Sequence, residues 1–381
     1  MSARQAWLPQ GYMVESEARM NRFMLIAVTM LGCLPAASAD THAPWPTAWN
    51  NWSDPALWVT VGNPGNAGEL SGPAVGGYGP DRICGAVGYT FNMGKFEVTA
   101  GQYTAFLNAV AANDTYGLYN TWMDTSVTPG WYGCNINRSG SSGSYTYSVA
   151  SDWANRPVNW VSWGDAARFA NWLTKGQPTG AQNGSTTEDG SYYLNGAIGD
   201  AELLAVTRKT VAQGGRYYIP TEDEWYKAAY HKNDGVTGNY YYYPTGNNDM
   251  PGRDMSDPDP GNNANYSGYP WLSPPIDSGI YYTTIAGEFQ LSDSPYGTFD
   301  QGGNVWEWNE FILYEFYRGW RGSSFYHNAS SMYAADGNDG YYPSGEFFYV
   351  GFRVSEVPEP ATMAFLALGG IGMLLRRKRS K

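Results

Sequence analysis

Gly303-Asn304-Val305-Trp306-Glu307-Trp308 packs two indoles and one carboxylate into six residues, directly after a second glycine, Gly302. Such a run suits neither an exposed helix nor an ordinary alternating strand. It makes sense if the indoles fill a core while Glu307 and nearby backbone carbonyls converge on a hard cation. Three more blocks stand around it in order: Ile219-Pro220-Thr221-Glu222-Asp223-Glu224-Trp225 upstream, then Arg321-Gly322-Ser323-Ser324 and Gly351-Phe352-Arg353-Val354 downstream.

Working outward, 381 residues hold one large domain or two ordinary ones, with ample volume for a core. With 31 Tyr, 16 Trp and 14 Phe among 47 Gly and 23 Pro, the chain reads as a globular body of aromatic packing and irregular backbone. Eight of the 23 Lys and Arg lie in residues 1–39 and 376–381, so the body is more acidic than the overall balance of −12. An acidic body without a basic stripe excludes nucleic acid and suits calcium or a neutral or cationic partner.

The two ends read as addresses. Met20-Asn21-Arg22, the apolar stretch 23–34 and Ala37-Ser38-Ala39 form a secretory signal cut before Asp40, with residues 1–19 an extension from a misplaced start. At the other end Val357-Pro358-Glu359-Pro360 precedes an apolar run, 361–375, and Arg376-Arg377-Lys378-Arg379-Ser380-Lys381. As a helix that run spans roughly 22 Å, short of a roughly 30 Å hydrocarbon core, so it is a marginal anchor. The tripartite pattern resembles a PEP-CTERM sorting signal. The resemblance implies processing by an exosortase, transient membrane association, and delivery to the cell surface or extracellular matrix of a Gram-negative bacterium. Cys84 and Cys134 are the cysteines left after export, and the sequence leaves their pairing open.

Residues 40–56 read as an extended lead-in before a domain at 57–355, with the sorting signal at 356–381. Trp58-Val59-Thr60-Val61 and Val87-Gly88-Tyr89-Thr90-Phe91 have strand character. Helices are predicted to start at Thr99, capped with Gln102, near Ser162 to Asp165, and at Thr221, capped with Glu224. The Gly/Asn/Ser/Tyr-rich stretches 130–150, 176–200 and 233–270 show no periodicity, and no repeat is visible.

Taken in order, the four blocks resemble the formylglycine-generating enzyme (sulfatase-modifying factor) family over roughly residues 85–355. The resemblance implies a mixed α+β fold, distantly like C-type lectins and low in regular secondary structure. It implies one calcium site at Asp300, Gly303, Val305 and Glu307 and a second at Asn265 and Tyr266, completed by Asp277. The alternative for Glu307 is a buried acid hydrogen-bonded without metal. The family's copper-binding cysteines, aligned on Gly322-Ser323-Ser324-Phe325, fall on His327 and Met332, which lack the anionic thiolates that hold Cu(I). Trp306 and Ser324 match residues lining the family's oxygen pocket. The three histidines, His42, His231 and His327, are too scattered for an iron triad.

Two functions follow as expectations. The first is a noncatalytic, calcium-stabilised module binding polysaccharide or a matrix protein, with Tyr240, Tyr241, Tyr242, Tyr243, Trp271, Tyr281 and Tyr282 as candidate contacts. The second is a formylglycine-generating oxidase acting on a sulfatase cysteine. Arg353 is expected in a structural ion pair, Glu222, Asp223 and Glu224 in helix capping and the favourable field of a helix N-terminus, and Asp257-Pro258-Asp259-Pro260-Gly261 as an acidic surface loop.

Overall fold

The computed structural model describes residues 51–126, 132–256, 258–268, 281–337 and 339–358. The signal segment, most of the lead-in, Asp257, Trp271, Asp277, Glu359 and Pro360 lie outside these. The early strands are β1 (Trp58–Val61), β2 (Glu69–Ser71), β3 (Arg82–Cys84) and β4 (Phe91–Gly94). Helix α1 (Ala100–Val110) leads to β5 (Ile136–Ser139), β6 (Thr146–Val149), α2 (Trp163–Thr174) and α3 (Asp200–Ala205). Then come β7 (Tyr217–Tyr218), α4 (Glu222–Tyr230), β8 (Trp306–Leu313) and β9 (Tyr317–Arg321). The last elements are β10 (Gly340–Tyr341), β11 (Val350–Gly351) and β12 (Ser355–Glu356).

The three expected helices start where their caps stand. Thr99 accepts from the Gln102 amide at 3.3 Å, Ser162 from Asp165 at 3.1 Å and Thr221 from Glu224 at 3.1 Å. Each N3 side chain reaches back to the cap amide, at 3.0, 2.8 and 2.9 Å. Such caps contribute about 1 kcal/mol apiece and stop the helices from slipping in register.

Two expectations need correction. Val87 to Thr90 are not strand, since β4 begins only at Phe91. Val87 instead donates its amide to the Asn66 side chain at 3.3 Å, and its carbonyl accepts from Gly65 at 2.8 Å. The stretch 130–150 contains the antiparallel hairpin β5–β6, paired from Ile136–Val149 to Ser139–Thr146. Arg138 clamps it by lying over Tyr119 and Tyr145, 4.7 and 4.4 Å from their centroids.

The stretch 176–200 is ordered without periodicity because polar side chains of α2 hold it. Asn171 donates to the carbonyls of Thr187 and Tyr192 and accepts from the Tyr192 amide, all within 2.9 Å. Arg168 forms a buried fork with Glu188 at 2.8 and 3.0 Å and also reaches the Ala197 carbonyl.

One sheet runs β1-β4-β12-β7, all antiparallel; another runs β10-β9-β8-β11, with β11 parallel to β8. Contrary to the sequence reading, Trp306 to Trp308 do form strand, because both faces of β8 are buried there; side chains alternate along it, so Trp306 and Trp308 share one face and Glu307 takes the other. Both indoles enter the main core, with Phe169, Tyr103, Trp163 and Phe352. Parallel register places Gly351 beside Glu307, which brings Arg353 within reach. Cys84 and Cys134 are free thiols in different core clusters. Burial pushes them up to about 11 and about 12, so neither is a poised thiolate.

Candidate functional site

The loop entering β8 is curled by left-handed residues: Asp300 (φ 59°), Gly303 (84°) and Asn304 (57°). At Gly303 the curl also demands a bare Cα, because a Cβ there would sit 2.2 Å from the Asn265 carbonyl oxygen. The loop is pinned on both sides. Gly303 donates to the Gly322 carbonyl and Asn304 to that of Asn265, each at 2.7 Å. The Asn304 side chain is the hub: it donates to Glu97 at 2.8 Å and accepts from the Thr284 amide at 3.0 Å and from Asn265 at 3.2 Å.

Glu307 is fully buried and held by a two-pronged pair with Arg353, Nη2 to Oε1 at 2.6 Å and Nε to Oε2 at 2.5 Å. The Trp225 indole donates to Oε2 at 2.7 Å, tying α4 to β8. Arg353 gives two further donors to the carbonyls of Gly94 and Phe299. Glu97 accepts from Asn304 and from the Val305 amide, and Asp300 accepts from the Gly287 amide at 2.5 Å. Burial, followed by the neighbouring acids, raises Glu97 well above the usual carboxylate range, and burial pushes Asp300 up to about 6. Three carboxylates thus gather round one guanidinium.

The donor set fits a hard cation in kind. Asp300 supplies a carboxylate, Glu307 Oε1 accepts one of the two bonds it can take, and the loop offers backbone carbonyls. Among the described residues no three His, Cys, Asp or Glu side chains are arranged to hold a metal, so any ion here leans on the carbonyls. Asn265 joins this centre, bridged to Gly303, and donates to the Tyr282 carbonyl at 2.7 Å. Tyr266 points elsewhere, its hydroxyl donating to the Pro251 carbonyl at 2.8 Å. Asp277 lies outside the described residues.

The family's copper positions hold other chemistry. His327 Nδ1 accepts from the Trp306 indole N–H at 2.9 Å and contacts Ser324 Oγ at 2.8 Å. An indole nitrogen only donates, so Nδ1 is unprotonated and the proton sits on Nε2. Trp306, Tyr326 and Tyr349 surround the ring edge-on, and burial pushes its pKa down to about 4. Met332 ends a short 3-10 helix, Ala329–Met332, and is fully buried with Ala264, Tyr266 and Ala329. The imidazole is hydrogen-bonded among aromatic rings, and the thioether is packed in an apolar cluster.

The other sequence candidates divide. Tyr240 is core, hydrogen-bonded to Asn66 and the carbonyls of Ala67 and Gly85. Tyr282 is buried against Tyr132 and Phe325. Tyr281 is covered by Arg156 at 3.7 Å, and Tyr242 is exposed. Glu224 caps α4 and also pairs with Arg208. Glu222 is no cap; it pairs with Arg82 and with buried Arg321 at 2.7 Å. Despite burial those arginines hold its carboxyl below the usual range. Tyr218 lies under Arg208, 4.4 Å from ring to guanidinium. Glu97 is a site residue that carried no signal, a lone acid ahead of a helix cap.

A match to the sulfatase-modifying factor enzyme 1-like domain covers residues 86–357. A second, to the PEP-CTERM protein-sorting motif at residues 356–379, marks an exported, surface-targeted protein of Gram-negative bacteria and implies exosortase processing. Comparison with curated proteins finds no match. Among solved structures, CarF is 20% identical with a TM-score of 0.44, covering 79% of this chain and 98% of its own. Treponema denticola variable protein 1 is 18% identical with a TM-score of 0.46, covering 79% and 95%. PvdO from Pseudomonas aeruginosa is 16% identical with a TM-score of 0.44, covering 79% and 94%. With the domain match spanning most of its length, the chain belongs to the sulfatase-modifying factor enzyme 1-like family and has that family's mixed α/β fold.

Proposed function

We propose that this exported protein is a noncatalytic binding module of the cell surface or extracellular matrix, stabilised by calcium and recognising a polysaccharide or a matrix protein. The observation that carries the reading is the state of His327: its Nδ1 lone pair is committed to the Trp306 indole, and its expected copper partner, Met332, is core. A site built for copper-dependent oxygen chemistry needs two free soft anions, and these positions supply none. Incubated with copper, oxygen and a Cys-x-Pro-x-Arg peptide, the protein is expected to leave the cysteine unoxidised. Accumulation of peptide aldehyde at catalytic turnover overturns the reading.

The calcium part rests on the acid excess around Arg353. A cation bound only to the folded state stabilises by mass action, by about 2.7 kcal/mol at a hundredfold excess over Kd. In that role it would be held by Asp300, Glu307 and the carbonyls of Gly303 and Val305. Chelation is expected to lower the Tm by several degrees, and calcium but not magnesium to restore it. A melting curve indifferent to chelator contradicts a bound calcium.

A further inference from the structure

A groove of about 450 Å³ opens beside α3, within the size range of small-ligand sites. One wall is residues 193–197, and the other runs from Glu202 through the end of α3 to Thr207. An antiparallel bridge between Tyr192 and Arg208 joins the two. Each wall is braced from behind by a buried arginine. Arg168 donates to the Ala197 carbonyl at 2.8 Å and forks onto Glu188, whose Oε2 accepts from the Gly196 amide at 2.8 Å. The Glu188 carbonyl accepts from the amides of Leu194 at 2.9 Å and Asn195 at 3.3 Å. Arg318 donates to the carbonyls of Leu203 and Val206, at 3.0 and 2.6 Å. These bonds fix the walls in advance, which lowers the ordering cost of binding.

The backbone decides which side chains face the groove. Tyr192 and Leu194 enter the core, so Tyr193 between them is turned outward, with 61% of its surface exposed. Arg208 likewise turns inward to Glu224, which leaves Thr207 on the outer side. Asn195 is exposed at φ 47°, a left-handed conformation that asparagine tolerates better than most residues. Glu202 Oε2 accepts from the amides of Ile198 and Gly199 at 3.2 and 3.3 Å, which positions the carboxylate and leaves Oε1 for a ligand.

An aromatic face, a carboxamide, a hydroxyl and a carboxylate oxygen thus line one braced groove. That set matches a pyranose, whose C–H face stacks on a ring and whose hydroxyls both donate and accept. Charge narrows the class. Glu202 brings a negative charge to the groove, while Arg208 and Lys209, next to Thr207 in sequence, are paired with Glu224 and Asp189. We infer that Tyr193, Asn195, Glu202 and Thr207 bind a segment of an uncharged polysaccharide. This rests on the noncatalytic reading and gives its ligand a class and a place.

The test is native affinity electrophoresis of the full-length chain in gels containing barley β-glucan, galactomannan, dextran or hyaluronan. Retardation is expected in at least one neutral gel and none in hyaluronan. Tyr193→Ala is expected to raise the apparent Kd about tenfold and, because the ring is exposed, to move the Tm by less than about 2 °C. Asn195→Gly keeps the left-handed backbone while removing the carboxamide, and Thr207→Val keeps the side-chain shape while removing the hydroxyl. Each is expected to raise the Kd about threefold. No retardation in any neutral gel, or retardation in hyaluronan alone, overturns the proposal. So does an unchanged Kd for both Tyr193→Ala and Asn195→Gly, which puts the ligand elsewhere and leaves the noncatalytic reading standing. Peptide-aldehyde turnover with retardation intact overturns that reading and leaves the groove, so the two can fail separately.

Discussion

Arg353→Ala is expected to cost about 3–5 kcal/mol and to lower the Tm by roughly 10 °C, the largest effect of any single side-chain truncation at this centre. The reason is electrostatic before it is steric. Arg353 is fully buried and forms both prongs of its bond with Glu307, while Glu97 and Asp300 crowd the same space and are already pushed toward protonation by burial. Removing the guanidinium leaves a buried carboxylate facing two more, and also strips donors from the Gly94 and Phe299 carbonyls. Arg353→Lys is expected to recover less than half of the loss, because an ammonium cannot reproduce the planar fork. Circular dichroism melts of the two variants check this, and a drop under about 2 °C for the alanine variant contradicts the assigned role. If calcium sits beside the pair, saturating calcium softens the loss.

Gly303→Ala is expected to destabilise by about 3 kcal/mol or more through backbone alone. Two costs add. The residue has φ 84°, which alanine adopts only with strain, and its Cβ would be driven to 2.2 Å from the Asn265 oxygen. The neighbour cannot yield cheaply, since it is main chain and accepts from the Asn304 amide. Gly302→Ala is the control: its Cβ would meet the Pro244 ring at 2.7 Å and Met332 Sδ at 3.2 Å, both side chains. Gly303→Ala is therefore expected to lower the chemical-denaturation midpoint more than Gly302→Ala. Equal midpoints for the two contradict a special demand at Gly303.

What the sequence made legible follows from physical range. Helix starts were readable because a cap is a local contract between Thr99 and Gln102, Ser162 and Asp165, or Thr221 and Glu224. The indole–acid–indole run misled as to backbone: two bulky indoles beside an acid look wrong for a strand, yet both faces of β8 are enclosed, so each residue of the alternation finds a buried place. The order in 176–200 left no periodic trace, because it comes from Asn171 and Arg168 hydrogen-bonding to backbone and to Glu188 across the fold. Glu97 was invisible for the same reason, since 207 residues separate it from Asn304. Glu222 carries a local signal that holds but is incomplete. Its position in the first turn of α4 satisfies the helix rules by itself, yet its carboxylate serves Arg82 and Arg321. The aromatic candidates, each open between contact and core, divide only on tertiary packing: Tyr240 and Tyr282 are enclosed while Tyr242 is exposed.

The positions matching the family's copper site are where local and long-range information diverge most. Sequence alignment placed His327 and Met332 side by side in role, as replacements for a metal-binding pair. Folding sends them to different neighbours: His327 to the Trp306 indole and a ring of tyrosines, Met332 to an apolar cluster. His327 is kept neutral by burial and accepts from the Trp306 indole, which packs it into the aromatic core.

The central claim is that lock on His327, and nitrogen-resolved NMR of its imidazole, recorded with and without one equivalent of Cu(I) at neutral pH, tests it most directly. Expected is a single neutral tautomer protonated at Nε2, with Nδ1 accepting a hydrogen bond and both resonances unmoved by copper. Stoichiometric copper that displaces the Trp306 contact and shifts Nδ1 would contradict it.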